Sequence, residues 1–95
     1  MLQIVLTDNA KFTLQNLFDD IENKFSPKVA DDFLYKVEKA LQQVSKNPEI
    51  YKTVPSLKNV RVGFISKQTS FYYQINNHEL VVLYFWDNRQ EPLFN

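Results

Sequence analysis

Arg61 and Arg89 are the side chains best suited to chemistry in this sequence, and they are its only two arginines. A guanidinium presents a rigid fork of N–H donors that fits a phosphate or carboxylate with two parallel hydrogen bonds. Arg61 sits in a strand-like run, 59–65. Arg89 follows the apolar run Leu80 to Trp86, in the tail Asp87-Asn88-Arg89-Gln90-Glu91-Pro92. Brought onto one sheet face, the two cations make an anion-binding patch. The sparer reading of each is a surface ion pair with Asp87 or Glu79, which contributes ~0–1 kcal/mol. His78, as an imidazole, is the residue type that most often serves as a general acid–base, but it directly follows a turn, far in sequence from either arginine, and reads as a solvated rim residue. Tyr72 is suited to stacking on a base or a partner, or to plain sheet surface. The pairs Asp19-Asp20 and Asp31-Asp32 fall on the outer faces of helices. They read as solvated surface rather than as a metal pair.

The composition narrows the function classes. The chain of 95 residues has no cysteine and one histidine, which excludes disulfides, thiolate chemistry and a multi-histidine metal site. No cofactor is expected. A 44% apolar and 23% charged composition fits one globular domain spanning residues 1–95. Eleven basic residues balance eleven acidic ones, which argues against a broad grip on nucleic acid, since that needs many cationic contacts to phosphate. The chain enters a strand at once, with no charged leader and no apolar run near the ~20 residues of a membrane span. A cytoplasmic location is the expectation.

Those candidate residues need elements to hold them. Leu2, Ile4 and Leu6 alternate with their neighbours as a strand does. Thr7 and Asp8 then offer oxygens to the free amides of a helix start. Ala10, Leu14, Leu17, Phe18, Ile21 and Phe25 form one apolar stripe, ending near Phe25. Ser26-Pro27 restarts the helix as N-cap and first helical residue, and Ala30, Phe33, Leu34, Val37, Leu41 and Val44 form a second stripe. Asn47 precedes Pro48 and is pushed out of helical geometry. Two helices joined so closely form an antiparallel hairpin. A loop over 47–58, anchored by Tyr51 and Val54, leads to strands at about 59–65, 70–75 and 79–86. The order β-α-α-β-β-β predicts an α+β domain, with the helical hairpin on one face of a four-stranded, mainly antiparallel sheet.

Register then assigns faces. With Asn76-Asn77 as a two-residue type I′ turn, Ile75 pairs with His78 and Tyr73 with Leu80. Phe71, Tyr73, Ile75, Leu80, Val82 and Tyr84 face the helices; Tyr72, Gln74, Glu79, Val81, Leu83 and Phe85 lie on the open face. A turn at Lys67-Gln68 sets Arg61 opposite Gln74, so Val60, Val62 and Phe64 join the core. Counting by twos from Phe85 reaches Asp87 and Arg89. Both arginines are therefore expected on the face away from the helices, and a single bulge near Asp87 would reverse the assignment.

The element order, the Ser26-Pro27 restart with Ala30 and Phe33, and the Asn47-Pro48 stop together resemble the RelE/ParE superfamily of toxins from bacterial toxin–antitoxin pairs. Val60-Arg61, Tyr72-Tyr73-Gln74-Ile75 and the tail Asp87 to Pro92 carry the same resemblance. It covers nearly the whole chain, and the Val-Arg pair and the Arg-Gln-x-Pro tail are its most specific parts. The resemblance implies a toxin neutralised by tight binding of a cognate antitoxin. RelE-like members cut messenger RNA in the ribosomal A site, using basic residues with a His, Glu or Tyr. ParE-like members lack that set, and some poison DNA gyrase.

Within that resemblance, Arg61 matches a functional arginine position of RelE-like toxins, and Arg89 falls where another lies. No histidine or tyrosine follows Arg89, the last aromatic being Phe94, and the 52–58 region is thinly basic. The pattern therefore favours a ParE-like toxin that binds a protein such as DNA gyrase and is not an enzyme. The alternatives are a ribosome-dependent endoribonuclease relying on Arg61 and Arg89, and a non-toxic relative that only binds an antitoxin. Arg61, Tyr72, Gln74, Phe85 and Arg89 are the expected contacts with target or antitoxin. Neither a membrane nor strong direct nucleic-acid binding is expected.

Overall fold

In the computed structural model, which describes residues 1–90, the elements follow the expected order: β1 (Gln3–Leu6), α1 (Asp8–Lys24), α2 (Pro27–Lys46), β2 (Val60–Ser66), β3 (Thr69–Asn76) and β4 (Glu79–Asp87). Both helix starts use the residues the sequence offers. Thr7 Oγ1 accepts from Ala10 N at 3.0 Å, and Ser26 Oγ accepts from Val29 N at 3.2 Å with Pro27 in the first turn. Each side chain satisfies an amide that has no partner inside the helix. Among the described residues no helix is long and apolar enough to cross a membrane.

The sheet order is β1-β4-β3-β2, with β1 parallel to β4 and the other pairs antiparallel. Both helices lie on one face. Their stripes, chiefly Phe33, Val37, Leu41 and Val44 with Leu14, Leu17 and Ile21 behind, close over Phe71, Tyr73, Leu80, Val82 and Phe85. Aromatic rings fill the centre: Phe71 stacks on Tyr73 at 5.6 Å between centroids and meets Tyr51 edge-on at 6.2 Å. Tyr51 thus pins the 47–59 loop against the core. Tyr73 Oη donates to Pro48 O at 2.8 Å, and Val54 N donates to Val60 O at 2.7 Å.

The strand registers depart from expectation in three places. The last hairpin turns at Asn77-His78, because Asn76 pairs with Glu79 and Ile75 with Leu80. Only Asn77, at φ 55°, takes a left-handed conformation there. This moves the pairing by two residues, keeps the faces, and sets Ile75 against an apolar partner instead of His78. The second departure is a bulge in β4. Tyr72 pairs with Tyr84 and Tyr73 with Val82, leaving Leu83 as an extra residue. Thr7 Oγ1 donates to Leu83 O at 2.8 Å, so the N-cap of α1 also satisfies the bulged carbonyl. The third is a bulge at Ile65: Ser66 pairs with Thr69 but Phe64 with Ser70.

Each bulge exchanges the faces of every residue beyond it. Beyond Leu83, Phe85 turns into the core while Tyr84 goes to the open face. Before Ile65, Arg61 pairs with Tyr73 and Gly63 with Phe71, so both lie on the helix side, whereas Val62 lies opposite. The expected placement of Arg61 and Phe85 on the open face is thereby overturned.

Candidate functional site

Arg61 is held where the 47–59 loop crosses the edge of the sheet. Its Nη1 donates to Tyr51 O at 2.6 Å, and its backbone bridges to Thr53. Thr53, Asn59 and Ile75 enclose it in a shallow recess of ≈ 130 Å³. A charged donor on a backbone carbonyl is among the stronger protein hydrogen bonds. Here it fastens loop to sheet.

Arg89 is tied down by carboxylates at the opposite end of the sheet. Its Nε donates to Asp87 Oδ1 at 3.0 Å and its Nη2 to Asp87 Oδ2 at 2.7 Å, a two-pronged pair. Asp20 of α1 approaches Nη2 at 3.8 Å, and Asp20 also pairs with Lys24 at 3.2 Å. Hydrogen bonding from the guanidinium holds the Asp87 carboxyl below the usual carboxylate range, and the same pair strengthens the hold of Arg89 on its proton. The group borders a cleft of ≈ 430 Å³ between α1 and the end of β4. Arg89 is thus on the helix side, contrary to expectation, and its charge is already answered. Along β3, Tyr73 beside Arg61 and Thr69 beside Asp87 are four residues apart, or roughly 13 Å at the rise of a strand. The two cations do not form one patch.

Tyr72 and Gln74 do occupy the open face. Tyr72 is 8% exposed and stacks on Tyr84, with ring centroids 4.6 Å apart and planes 18° from parallel. Burial, and secondarily the neighbouring Tyr72, pushes the Tyr84 hydroxyl up to about 12. Tyr84 Oη and Trp86 Nε1 are buried without a hydrogen-bond partner among the described residues. The pairing of Tyr84 with Tyr72 is not legible in the sequence, since the β4 bulge is what sets the two side by side. Phe85, 1% exposed, is core and cannot meet a partner surface.

His78 is exposed at the turn, and its backbone oxygen accepts from Gln3 N at 2.8 Å. Asp31 and Asp32 are exposed on α2. Asp19 accepts from Gln15 Nε2 at 2.9 Å, within α1. No cluster of histidine and carboxylate side chains suited to a metal ion exists among the described residues. The expectations attached to Glu91, Pro92 and Phe94 fall outside the described residues.

What the arrangement can do follows from this. A general acid–base must lie within hydrogen-bonding reach of the proton it moves. Arg61 lies near enough to Tyr73 for its charge to act on the phenol, and Arg89 is paired with Asp87. Each guanidinium donates to an acceptor of the protein itself.

Comparison with known proteins agrees with this architecture. Residues 4–92 match the model of a family described as the ParE toxin of the type II toxin–antitoxin system parDE. A structure of a chromosomal ParDE toxin–antitoxin system from P. aeruginosa superposes with a TM-score of 0.68 at 17% identity, over 92% of this chain and 96% of that one. A copper-bound mutant toxin from Helicobacter pylori gives 0.65 at 19% identity, covering 94% and 97%. The YoeB dimer of Staphylococcus aureus gives 0.63 at 10% identity, over 87% and 92%. No curated protein matches the chain.

Proposed function

This chain belongs to the ParE toxin family of type II toxin–antitoxin systems, and we propose that it arrests growth by binding a protein target such as DNA gyrase until a cognate antitoxin sequesters it. Membership of a toxin family over residues 4–92 is the observation that carries the reading. The engagement of both guanidiniums supports a protein target over RNA. Arg61 gives one Nη1 donor to the Tyr51 carbonyl, and Arg89 is paired with Asp87 and approached by Asp20. Opening either to bind a phosphate exchanges an existing charge-assisted bond for a new one, with little net gain.

Regulated expression tests the reading. Induction of the chain should stop growth and raise a DNA-damage response, and co-expression of the adjoining reading frame should restore growth. Purified chain should inhibit gyrase supercoiling in vitro. Arg89→Ala should remain toxic, because Arg89 serves the ion pair and not the target. Arrest with intact messages and no effect on gyrase moves the target to another protein. No arrest at any expression level leaves only a non-toxic antitoxin-binding relative.

A further inference from the structure

The zero net charge conceals a segregation along the chain. Residues 36–67 hold seven basic and two acidic residues, a net of +5, while the remainder holds four basic and nine acidic, a net of −5. The basic stretch is the second half of α2, the 47–59 loop and β2, at the β2 edge of the sheet. Ion pairs among the described residues join Lys24 and Arg89 to Asp20 and Asp87, all in the acidic remainder. Charge of both signs is left over, on different parts of one small body.

The leftover carboxylates gather on the outer ridge of α1. Asp8, Phe12, Gln15, Asp19 and Glu22 follow one another at steps of four and three, which sets them along one line of the helix. That line faces away from Ala10, Leu14, Leu17 and Ile21, the side that meets the core. Asp8, Asp19 and Glu22 enter no ion pair among the described residues. Phe12 stands among them 65% exposed, and Lys11 flanks the ridge on one side.

The leftover cations border a seam between α2 and β2. One part, ≈ 490 Å³, is lined by Lys36, Lys39, Tyr51 and Phe64; the adjoining part, ≈ 340 Å³, by Phe25, Val29 and Phe33. Its apolar floor stands open, with Phe25 68% and Phe64 52% exposed. Lys39 Nζ lies over the Tyr35 ring at 5.2 Å, holding its charge at the lip. Asp32 is the single carboxylate among the lining residues.

We propose that the free chain associates with itself head to tail, the acidic α1 ridge of one copy lying in the basic α2–β2 seam of the next. Charge selects this occupant: Asp19 and Glu22 bring the carboxylates that Lys36 and Lys39 lack, and Phe12 brings a ring to the apolar floor. Length agrees. The ridge from Asp8 to Glu22 and the seam from Val29 to Gln43 each run about 21 Å at 1.5 Å per residue. The ridge points away from the body, so a copy cannot fill its own seam. The contact joins two different surfaces, so each bound pair keeps one ridge and one seam free, and the assembly grows or closes into a ring. A net charge of zero leaves no overall repulsion to oppose it. The inference does not depend on the toxin reading.

Sedimentation velocity of the purified chain over a range of concentrations tests the contact. At about 0.1 M salt the sedimentation coefficient should rise with concentration. At about 1 M salt, where charges act over about 3 Å instead of about 10 Å, the chain should run as a monomer. Lys36→Glu with Lys39→Glu, and separately Asp19→Lys with Glu22→Lys, should each weaken association at least about tenfold. An equal mixture of the two double variants should associate again. The acidic ridge kept by the first fits the basic seam kept by the second, and the two reversed surfaces fit each other. Lys52→Glu with Lys58→Glu makes the same change of charge outside the seam and should stay within about threefold of the parent. Circular dichroism confirms that each variant is folded. A parent chain that stays monomeric at every concentration overturns the proposal, as does a mixture that fails to associate. Equal loss in the Lys52, Lys58 variant also overturns it, assigning the attraction to overall charge. An assembly unmoved by either reversal overturns it in favour of a different face.

Discussion

Replacing the one glycine of the chain tests the strand register from which the arginine placement follows. A Cβ at position 63 would lie 2.5 Å from Phe71 Cζ, 2.7 Å from Phe71 Cε1 and 2.9 Å from Tyr51 Cδ2. The Phe71 ring has no free direction, being fully buried and in contact with Tyr51, Tyr73 and Phe85. Accommodating the methyl needs a displacement of about 1 Å in a packed aromatic cluster, and overpacking of this kind costs about 1–3 kcal/mol. At ~4–8 °C per kcal/mol for a domain of this size, Gly63→Ala should lower the melting temperature by roughly 8–16 °C for a cost near the middle of that range. In the register read from the sequence, Gly63 faces away from the helices. The same substitution would then be neutral or stabilising by about 0.4–1 kcal/mol, through a stiffer unfolded chain. The two registers thus differ in sign. Thermal and urea unfolding of Gly63→Ala, Phe71→Leu and the double variant supply the measurement. Phe71→Leu removes both crowded ring atoms, so the double variant should be more stable than the sum of the two single losses by about 1 kcal/mol or more. A Gly63→Ala melting temperature at or above that of the parent refutes the bulge at Ile65, and with it the position of Arg61.

Three further outcomes are expected. Thr13 Oγ1 accepts from Phe85 N at 2.9 Å, on the length of β4 that β1 does not reach; Thr13→Val should cost about 1–3 kcal/mol for the stranded amide and selectively speed hydrogen exchange at Phe85. Tyr84 ionises near 12 in the fold against 10.0 when unperturbed. Its contribution to stability is whole below pH 10 and declines as pH rises toward 12, so Tyr84→Phe should unfold less steeply than the parent in that alkaline window. Asp87 has the opposite sign, its carboxyl being lowered by Arg89. Asp87→Asn should be less stable than the parent near neutral pH, and the gap should close as pH falls below the ordinary carboxylate range, measured by urea midpoints from pH 7 to pH 2.

Much of the architecture is written in local signals that tertiary packing had no reason to override. Thr7 and Ser26-Pro27 fix the helix starts, the two apolar stripes fix the helical hairpin, and Asn47-Pro48 ends it. The face assignment was a different kind of inference. Leu80 to Trp86 is apolar at every position, so either parity buries a hydrophobic row and alternation cannot choose between them. The choice is made by Thr7, whose hydroxyl meets Leu83 O some 76 residues away in sequence. At Ile65 the extra residue likewise has no mark of its own, and the informative residue was Gly63, the one position where the Phe71 ring leaves no room for a side chain. Arg89 was misplaced along with Phe85, yet Asp87 two residues before it was the partner already named for the sparer reading. The charge segregation was present in the sequence and hidden by counting over the whole chain.

The most direct test of a toxin that works by protein contact is to map messenger RNA 5′ ends across cells within minutes of induction. Growth arrest with intact messages, relieved by the adjoining reading frame, is the result expected. Cleavage clustered inside translated codons, abolished by Arg61→Ala or Arg89→Ala, would contradict it and make those two guanidiniums the working parts of a nuclease.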